Sequence, residues 1–405
     1  MAFYDPGLLC ARAITRAGNW IVNACVKFLF SSTATTPSSI LVYRHCFIGD
    51  FVVIVPALRE LKRRFPGASI TLLTTSSAHP RWKSHPANAS RFEIATDCLD
   101  NVIEFRVGSL WADFRSIRAA LRKLQCSACV VFPFSSESIS SRLKKVFLLA
   151  AFGIRKNVIV GPAHGTLLLA RNSQADAGVF VHQVDAAMET AALLVSRHAP
   201  RHIPERNSPI QPMRKLGNVI VVAPGTKHKN KEWPLENFTR LIHELLDLYP
   251  SFRFELIGGK AECELGTRIT NELASPKVEN LIGQLSLAES TAKIRAARMF
   301  IGADSGPMHI ASLYDVPTVA IFSSVVPLQF WRPWGRDSVA VSRRTPCAYC
   351  FSSDGSCPEA TFKCVKDITV EEVLRAAARE LDTVTKTYAS EEIDGRQTIP
   401  GMANE

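Results

Sequence analysis

The residues best suited to bind an anionic ligand lie together in one short segment. An apolar run over residues 299–303 leads into Asp304, Ser305 and Gly306, and His309 follows one turn later. The pattern predicts a buried strand, a tight turn and a new helix. Amides at a helix N-terminus bind phosphate, and the Ser305 hydroxyl and His309 imidazole can donate to phosphate or ribose oxygens. Alternatively, Asp304 or Ser305 caps the helix and His309 packs in its first turn.

A second turn of this kind carries Asp50. Residues 40–43 predict a buried strand, Gly49 precedes Asp50 in a turn, and a helix is predicted over about residues 50–65. A further strand over 69–74 gives the order strand, helix, strand, which predicts a right-handed parallel crossover. The turn then lies at the carboxyl edge of the sheet, where open α/β folds bind ligands. There the Asp50 carboxylate can act as a general base, or it can simply complement the dipole of its helix.

The α/β pattern restarts after a proline-rich break. Residues 201–217 lack hydrophobic periodicity and are interpreted as an interdomain linker. They separate an N-terminal Rossmann-like domain over 39–200 from a C-terminal one over 218–382, and residues 383–405 form a polar tail. This α/β arrangement of two domains facing a cleft follows from the pattern alone. Neither half has G-x-G-x-x-G after its first strand, which disfavours a dinucleotide-dependent oxidoreductase.

Composition and charge restrict the class of protein. A chain of 405 residues with 47% hydrophobic content can bury the cores of more than one domain. The formal net charge of +11 favours an anionic partner. The basic residues are dispersed and carry no nucleic-acid-binding motif, so nucleic acid is disfavoured as that partner. Eleven cysteines without a recognisable secretory signal favour a reducing cytoplasmic setting over a disulfide framework.

Residues 1–38 are interpreted as an amphipathic helix followed by a Ser/Thr/Pro linker. Within residues 8–30, polar side chains recur every three or four positions and form one narrow stripe: Arg12, Thr15, Arg16, Asn19, Asn23 and Lys27. A spanning helix needs about twenty nearly uncharged residues, and a signal peptide needs an uninterrupted apolar stretch. The helix is therefore expected either to lie on the inner face of the plasma membrane or to pack its apolar face on the protein.

Four cysteines near the C-terminus form a C-x2-C-x6-C-x6-C array: Cys347, Cys350, Cys357 and Cys364. Four thiolates within eighteen residues can hold a structural zinc ion. The spacing of the second pair is wider than that of the usual zinc knuckle, which favours a metal-free cluster instead. Both interpretations stay open on the sequence alone.

Four segments of the chain resemble family 9 glycosyltransferases, which include the bacterial lipopolysaccharide heptosyltransferases. The matching segments lie at residues 40–59, 224–234, 258–262 and 304–322, with Asp304-Ser305-Gly306-Pro307-Met308-His309 in the last of them. Together they extend over roughly residues 39–380. The resemblance implies the GT-B fold and sugar transfer with inversion at the anomeric carbon, without an active-site metal or other required cofactor.

The resemblance also implies roles for the matching residues. Asp50 matches the proposed general base, and Lys231 matches a lysine that contacts the donor near its phosphates. The segment reads Lys231-Glu232-Trp233 where many relatives have Lys-Arg-Trp, so one positive charge is missing beside Lys231. Arg44 is expected on the acceptor side, where it either meets an anionic acceptor or forms a salt bridge. The implied donor-binding residues are Thr226, Glu262, Asp304, Ser305, Gly306 and His309.

These observations together predict an inverting glycosyltransferase of the cell envelope. ADP-heptose is the donor that the resemblance favours, and the acceptor is expected to be an anionic glycolipid or glycan such as a lipopolysaccharide core. One alternative is a transferase of the same family that uses another nucleotide sugar for an O-antigen or capsule unit. Another is a non-catalytic subunit that binds a nucleotide sugar, and a GT-B-type sugar epimerase is more distant.

Overall fold

The computed structural model divides the chain into two compact units. It describes residues 6–33, 35–45, 47–75, 83–86, 92–105, 110–134, 137–162, 181–198, 217–352 and 355–396. The first unit consists of Met1–Pro212 with Pro327–Trp331, and the second of Met213–Val326 with Arg332–Glu405. The predicted linker at 201–217 lies outside the described residues, except for Gly217.

The first unit is an α/β sandwich around one sheet. Its helices and strands are α1 Pro6–Leu29, β1 Ser39–Tyr43, α2 Ile48–Val52, α3 Val55–Arg64, β2 Ser69–Thr75, β3 Lys83–Pro86, β4 Asn101–Phe105, α4 Leu110–Lys123, β5 Ala128–Val131, α5 Ile139–Phe152, β6 Val158–Val160 and α6 Gln183–His198. Within the described residues the strand order is β3-β4-β2-β1-β5-β6, parallel except for the edge pair β3–β4. Because β2 and β5 flank β1 on opposite sides, the strand order reverses direction at β1.

The helix predicted over residues 50–65 is two helices in the structure. Helix α2 ends at Val52, and α3 begins at Val55 with Pro56 in its first turn. A proline disfavours helical backbone in the preceding residue and has no N–H to donate, so it begins a helix more readily than it continues one. The short α2 therefore holds Asp50 in the first turn of its own helix.

Helix α1 packs on the first unit instead of forming a separate piece. Val22 and Val26 are buried in the core beneath β1, β5 and β6. The Asn19 Oδ1 accepts a hydrogen bond of 2.5 Å from Arg142 Nη1 on α5. Gly18 allows this close approach, because a Cβ there would lie 2.5 Å from two Ile139 side-chain atoms. No helix within the described residues is long and apolar enough to cross a membrane.

The second unit repeats the architecture. Its helices and strands, together with α11 of the first unit, are β7 Val219–Ala223, α7 Leu235–Leu248, β8 Arg253–Leu256, α8 Cys263–Leu273, β9 Val278–Asn280, α9 Leu287–Ala296, β10 Met299–Ala303, α10 Gly306–Leu313, β11 Thr318–Phe322, α11 Leu328–Trp331, β12 Ser338–Ser342, α12 Lys363–Lys366 and α13 Val370–Arg396. In the described part of the chain the strand order is β12-β11-β10-β7-β8-β9, with every pair parallel. Helix α13 continues well beyond residue 382, where the polar tail was predicted to begin.

The core of the second unit explains why its strands read as continuous apolar runs. Every residue of β10 and β11 is buried, as expected for parallel strands covered by helices on both faces. Trp233 joins this core, with its ring edge-on to Phe238 and its indole N–H donating to the Ile368 carbonyl at 2.8 Å. Trp233 thereby holds the loop after β7 against the helical layer.

We predict that Gly302→Ala destabilises the second unit. A Cβ at this position would lie 2.8 Å from the Ala223 carbonyl oxygen of β7 and 2.9 Å from the Phe300 ring. Overpacking of this kind costs roughly 1–3 kcal/mol. Gly67→Ala is the matched control, since a Cβ there would meet nothing within 4 Å. Denaturant unfolding measures both variants, and an equal loss of stability in the two would contradict the prediction.

Candidate functional site

The predicted site residues of the second unit gather at one edge of its sheet. Strand β7 is flanked by β8 on one side and β10 on the other, so the order reverses there. Ligands of open α/β sheets bind at such a reversal, beyond the carboxyl ends of the strands. Thr226 follows β7, Glu262 follows β8, and Asp304 to Gly306 follow β10. The loops that carry all of these residues therefore leave the sheet at its switch point.

An ion pair joins the loops after β7 and β10. Lys231 Nζ lies 2.6 Å from Asp304 Oδ2, and the Asp304 side chain is nearly buried whereas Lys231 is about a quarter exposed. The lysine therefore neutralises the carboxylate and still presents part of its surface to solvent. A carboxylate alone at this depth would be costly, which explains why the pair forms. Asp304 thus holds the Lys231 ammonium at the sheet edge.

The loop that carries Lys231 is held in place by the segment around residues 352–356. Asn230 is buried and its amide nitrogen donates to the Ser352 carbonyl at 3.0 Å and the Ser356 carbonyl at 3.2 Å. Gly355 lies against the same loop with a φ of +84°, and a Cβ there would come within 3.3 Å of the Lys229 nitrogen. The cysteine-containing segment thus supports the Lys231 loop. Sequence reasoning missed Asn230, since a polar residue within a lysine run gives no signal of burial.

His309 is a buried, neutral imidazole beside the ion pair. Its side chain is 3% exposed, and its Nε2 lies 3.9 Å from Asp304 Oδ1. Burial is the main cause that lowers the pKa of His309 to about 4, while Asp304 acts to raise that pKa and Lys231 to lower it. The Trp334 ring stacks on the imidazole, with centroids 5.9 Å apart. This contact joins two residues that are 25 positions apart in sequence.

The N-terminus of α10 is oriented for an anion. Ser305 precedes the helix in an extended conformation, but its hydroxyl does not cap the helix and donates instead to the Ala303 carbonyl at 3.3 Å. Gly306 and Pro307 then begin the helix, and Pro307 has no N–H to satisfy. The first-turn amides therefore point toward the same edge as Lys231. Together, the lysine and the amides provide positive charge from two directions.

Glu262 occupies a cradle of glycines next to this edge. Its Oε2 accepts a hydrogen bond of 2.7 Å from the Gly259 amide. A Cβ at Gly225 would lie 2.2 Å from the Glu262 carboxyl carbon, so only glycine leaves room there. Burial raises the pKa of Glu262, whereas the Gly259 amide lowers it. The half-buried Thr226 follows Gly225 in the loop after β7.

Asp50 lies at the corresponding edge of the first unit. It follows β1, where the strand order reverses, and its Oδ2 accepts a hydrogen bond of 3.0 Å from the Phe47 amide. The carboxylate therefore caps α2, as the structural alternative predicted, and it remains half-exposed. His45 lies in the same loop, with its Nδ1 against the Thr75 hydroxyl at the end of β2. Burial lowers the pKa of His45, and the Asp50 carboxylate opposes that shift.

Arg44 is buried beneath this edge. Its guanidinium donates to the Phe132 carbonyl at 3.2 Å and the Pro133 carbonyl at 2.6 Å. The side chain is 1% exposed, so its main contacts are with the protein itself. Its role in acceptor binding therefore stays a prediction, and its place in the fold favours an indirect one.

Among the described residues, nothing supports a zinc ion at the four cysteines, which is one of the two alternatives that the sequence left open. No group of three or more His, Cys, Asp or Glu side chains among the described residues is arranged to hold a metal. The Cys357 Sγ accepts a hydrogen bond from the Phe362 amide at 3.4 Å, and Cys347 lies 3.4 Å from the Thr345 hydroxyl. Burial opposes ionisation of Cys357, but the amides of its turn lower its pKa, whereas burial raises the pKa of Cys364. Cys347 and Cys350 also act to raise the pKa of Cys364, so these three thiols lie near one another.

Comparisons with known proteins agree with this geometry. The model of "Glycosyltransferase family 9 (heptosyltransferase)" matches residues 172–360. A lipooligosaccharide heptosyltransferase 2 of Campylobacter jejuni is 26% identical over 345 residues, which cover 84% of this chain and 97% of the relative. The resemblance to family 9 glycosyltransferases is confirmed. The region that matches the family 9 model contains Lys231, Glu262 and Asp304, whereas Asp50 lies before it.

Solved structures show the fold. The Escherichia coli ADP-heptose lipopolysaccharide heptosyltransferase II superposes with a TM-score of 0.56 at 19% identity, over 85% of this chain and 99% of that one. A family 9 glycosyltransferase of Veillonella parvula gives a TM-score of 0.60 at 16% identity, over 85% and 97% of the two chains. The chain has the GT-B fold. Its two sheets are the two Rossmann-like halves that the sequence predicted.

The low pKa of His309 predicts acid sensitivity of the second unit. The pKa of the imidazole is about 6.5 in the unfolded chain and about 4 in the folded state. Above both values the imidazole is neutral in either state. As the pH falls from about 6.5 toward 4, only the unfolded chain gains the proton, and stability is lost on the order of 3 kcal/mol.

His309→Gln removes this titration. Denaturant unfolding of the wild-type protein and the variant between pH 7.5 and 4.5 should show a shallower loss of stability in the variant. The free-energy difference between the two at pH 7.5 serves as the reference, since the imidazole is neutral there in both states. Parallel pH profiles would contradict the prediction.

Proposed function

We propose that this chain is an inverting glycosyltransferase that moves heptose from ADP-heptose to the core of a lipopolysaccharide or a related envelope glycan. The observation that carries the proposal is the Lys231–Asp304 pair beside the N-terminus of α10, at the switch point of the second sheet. That arrangement fits a diphosphate. The names of the relatives, a lipooligosaccharide heptosyltransferase and an ADP-heptose heptosyltransferase, supply the sugar and the acceptor class.

In this proposal the donor lies along the edge of the second sheet. Lys231 and the first amides of α10 bind the two phosphates, and the Thr226 hydroxyl donates to a phosphate oxygen. Glu262 accepts hydrogen bonds from the nucleoside, because its Oε2 is held by the Gly259 amide and its carboxylate is fixed in the glycine cradle. Trp334 stacks on His309, which lies beside Asp304.

Asp50 is the proposed general base. Its carboxylate takes the proton from the acceptor hydroxyl while the oxygen attacks the anomeric carbon, and the bond to the diphosphate breaks on the opposite face. The negative charge that develops on the departing diphosphate is received by Lys231 and the α10 amides. No step requires a metal, since these groups supply the positive charge.

We predict that Asp50→Asn abolishes most of the transfer activity. Asparagine can still accept the hydrogen bond from Phe47 but is not a base, so kcat should fall by roughly 10²–10⁴-fold. The measurement is release of ADP from ADP-heptose with a lipopolysaccharide core acceptor, in buffer containing EDTA. Binding of ADP, measured by calorimetry, should stay unchanged. Asp97→Asn, a surface carboxylate paired with Arg59, is the control and should keep wild-type kcat.

The same assay distinguishes the alternatives. Turnover by Asp50→Asn at the wild-type rate would assign the base to another residue. Faster turnover of another nucleotide sugar would favour a transferase for O-antigen or capsule. Binding of nucleotide sugars without turnover of any acceptor would favour a non-catalytic subunit.

We further propose that the protein works on the cytoplasmic face of the inner membrane, held there by the outer surface of α1. While Val22 and Val26 face the core, Ile14, Ile21 and Phe28 recur every seven residues along an exposed flank. Trp20 is 72% exposed and Phe28 is 89% exposed, which is unusual for aromatic side chains of this size. Arg16 and Lys27 are exposed and border the flank, where they can pair with anionic headgroups. The helix thus packs on the protein and still presents an interfacial face.

This surface predicts binding to vesicles that contain anionic lipid. Phe28→Glu should weaken cosedimentation with phosphatidylglycerol-containing vesicles by about tenfold, since it replaces an inserted ring with a charge. Leu248→Glu, which removes an exposed apolar side chain from α7 of the second unit, is the matched control and should bind as the wild type does. Equal binding by all three proteins would overturn the membrane proposal.

A further inference from the structure

A pair of aromatic side chains lies at the carboxyl edge of the first sheet. Phe134 follows β5, and Trp331 ends α11, which belongs to the first unit. Their ring centroids are 6.3 Å apart, and the ring planes are inclined by 49°. Both side chains are only half-buried, whereas the neighbouring Phe132 is completely buried. Simple core packing would have enclosed them as it encloses Phe132.

Arg44 fixes the position of Phe134. The Arg44 guanidinium carbon lies 4.0 Å from the centre of the Phe134 ring, and the same guanidinium donates to the carbonyls of residues 132 and 133. A buried, planar cation that binds both the ring and the backbone before it leaves Phe134 little freedom. The ring is therefore held in place before any ligand binds, and little ordering entropy is lost on binding.

A charged pair lies beside the aromatic rings. Lys145 Nζ on α5 is 2.6 Å from Glu137 Oε1, and it is 5.8 Å from the centre of the Tyr43 ring and 5.9 Å from that of Phe134. Both members of the pair are about nine-tenths buried. A buried ion pair adds little net stability compared with apolar packing. Stability therefore does not explain why a charged pair lies at a ligand-binding edge.

We propose that Phe134 and Trp331 are the platform on which the acceptor sugar ring packs, and that Lys145 and Glu137 bind its polar groups. The C–H face of a sugar ring packs on aromatic faces, its hydroxyls donate to a carboxylate, and an ammonium pairs with an acidic substituent. Lys145 pairs with Glu137, and Arg44 and Arg142 both lie within electrostatic reach of Lys145. This excess of positive charge selects an acceptor sugar that carries an anionic group. The inference rests on the proposed function and adds the acceptor subsite to it.

Steady-state kinetics test the platform. The acceptor is a lipid-free core oligosaccharide that ends in an acidic sugar, and the donor is ADP-heptose. Trp331→Ala should raise the KM for the acceptor at least about tenfold, since aromatic anchors dominate such contacts, and leave the KM for ADP-heptose within twofold. Trp331→Phe keeps an aromatic face and should restore most of the acceptor affinity. Phe147→Ala removes an exposed ring from α5 and should leave both KM values unchanged.

Several outcomes would overturn the proposal. One is an unchanged acceptor KM in a Trp331→Ala protein with wild-type thermal stability and ADP binding. Another is an equal rise in both KM values, which a merely structural role for the ring would produce. Lys145→Met should give a smaller loss for a neutral oligosaccharide than for the acidic one, and equal losses would refute the role of its charge.

Direct binding keeps this inference separate from the proposed function. Saturation-transfer NMR with the acidic oligosaccharide should show binding to the wild-type protein and loss of binding in Trp331→Ala, whether or not transfer occurs. If no donor is turned over but this difference is present, the transfer proposal fails and the sugar platform stands. If transfer occurs and both proteins bind the oligosaccharide equally, the platform fails alone.

Discussion

The ion pair between Lys231 and Asp304 is the interaction on which the ligand-binding edge of the second unit depends. It joins the loops that follow two adjacent strands, β7 and β10, where the strand order reverses. The Asp304 carboxylate is nearly buried. Loss of the lysine would leave this buried charge unpaired, which costs several kcal/mol of folding free energy. The pair therefore fixes the spacing between the β7 loop and the first turn of α10. Both therefore lie at the same edge of the sheet.

Most of the fold was predictable because its signals are local. Apolar runs of four or five residues alternate with segments of helical periodicity. Parallel strands that are buried on both faces produce such continuous apolar runs in a sequence. The strand-to-helix junction at residues 303–306 was predictable for the same reason, since the glycine and the following proline fix the backbone there. Asp50 was placed correctly at the end of β1. These residues required no knowledge of distant partners.

The remainder depended on contacts between residues far apart in sequence. Trp334 stacks on His309, and Asn230 donates hydrogen bonds to carbonyls more than 120 residues away. Neither contact produces a periodic pattern in the sequence. The sequence left two interpretations open for the four cysteines, because cysteine spacing specifies which thiols can meet but not where each Sγ points. For the N-terminal helix, the apolar stripe predicted two alternatives. The structure uses one flank for packing on the first unit, and the other flank stays exposed.

Helix α11 belongs to the first unit although the chain on both sides of it belongs to the second. The polypeptide therefore passes between the units at residue 212, again at 326 and once more at 331. A chimaera that exchanges everything after residue 212 with a relative would import a foreign α11 into the native first unit. Exchange of a complete unit requires residues 327–331 to remain with the N-terminal half. Exchange of a complete unit between relatives thus requires three junctions. A single junction produces a first unit that combines residues from both parents.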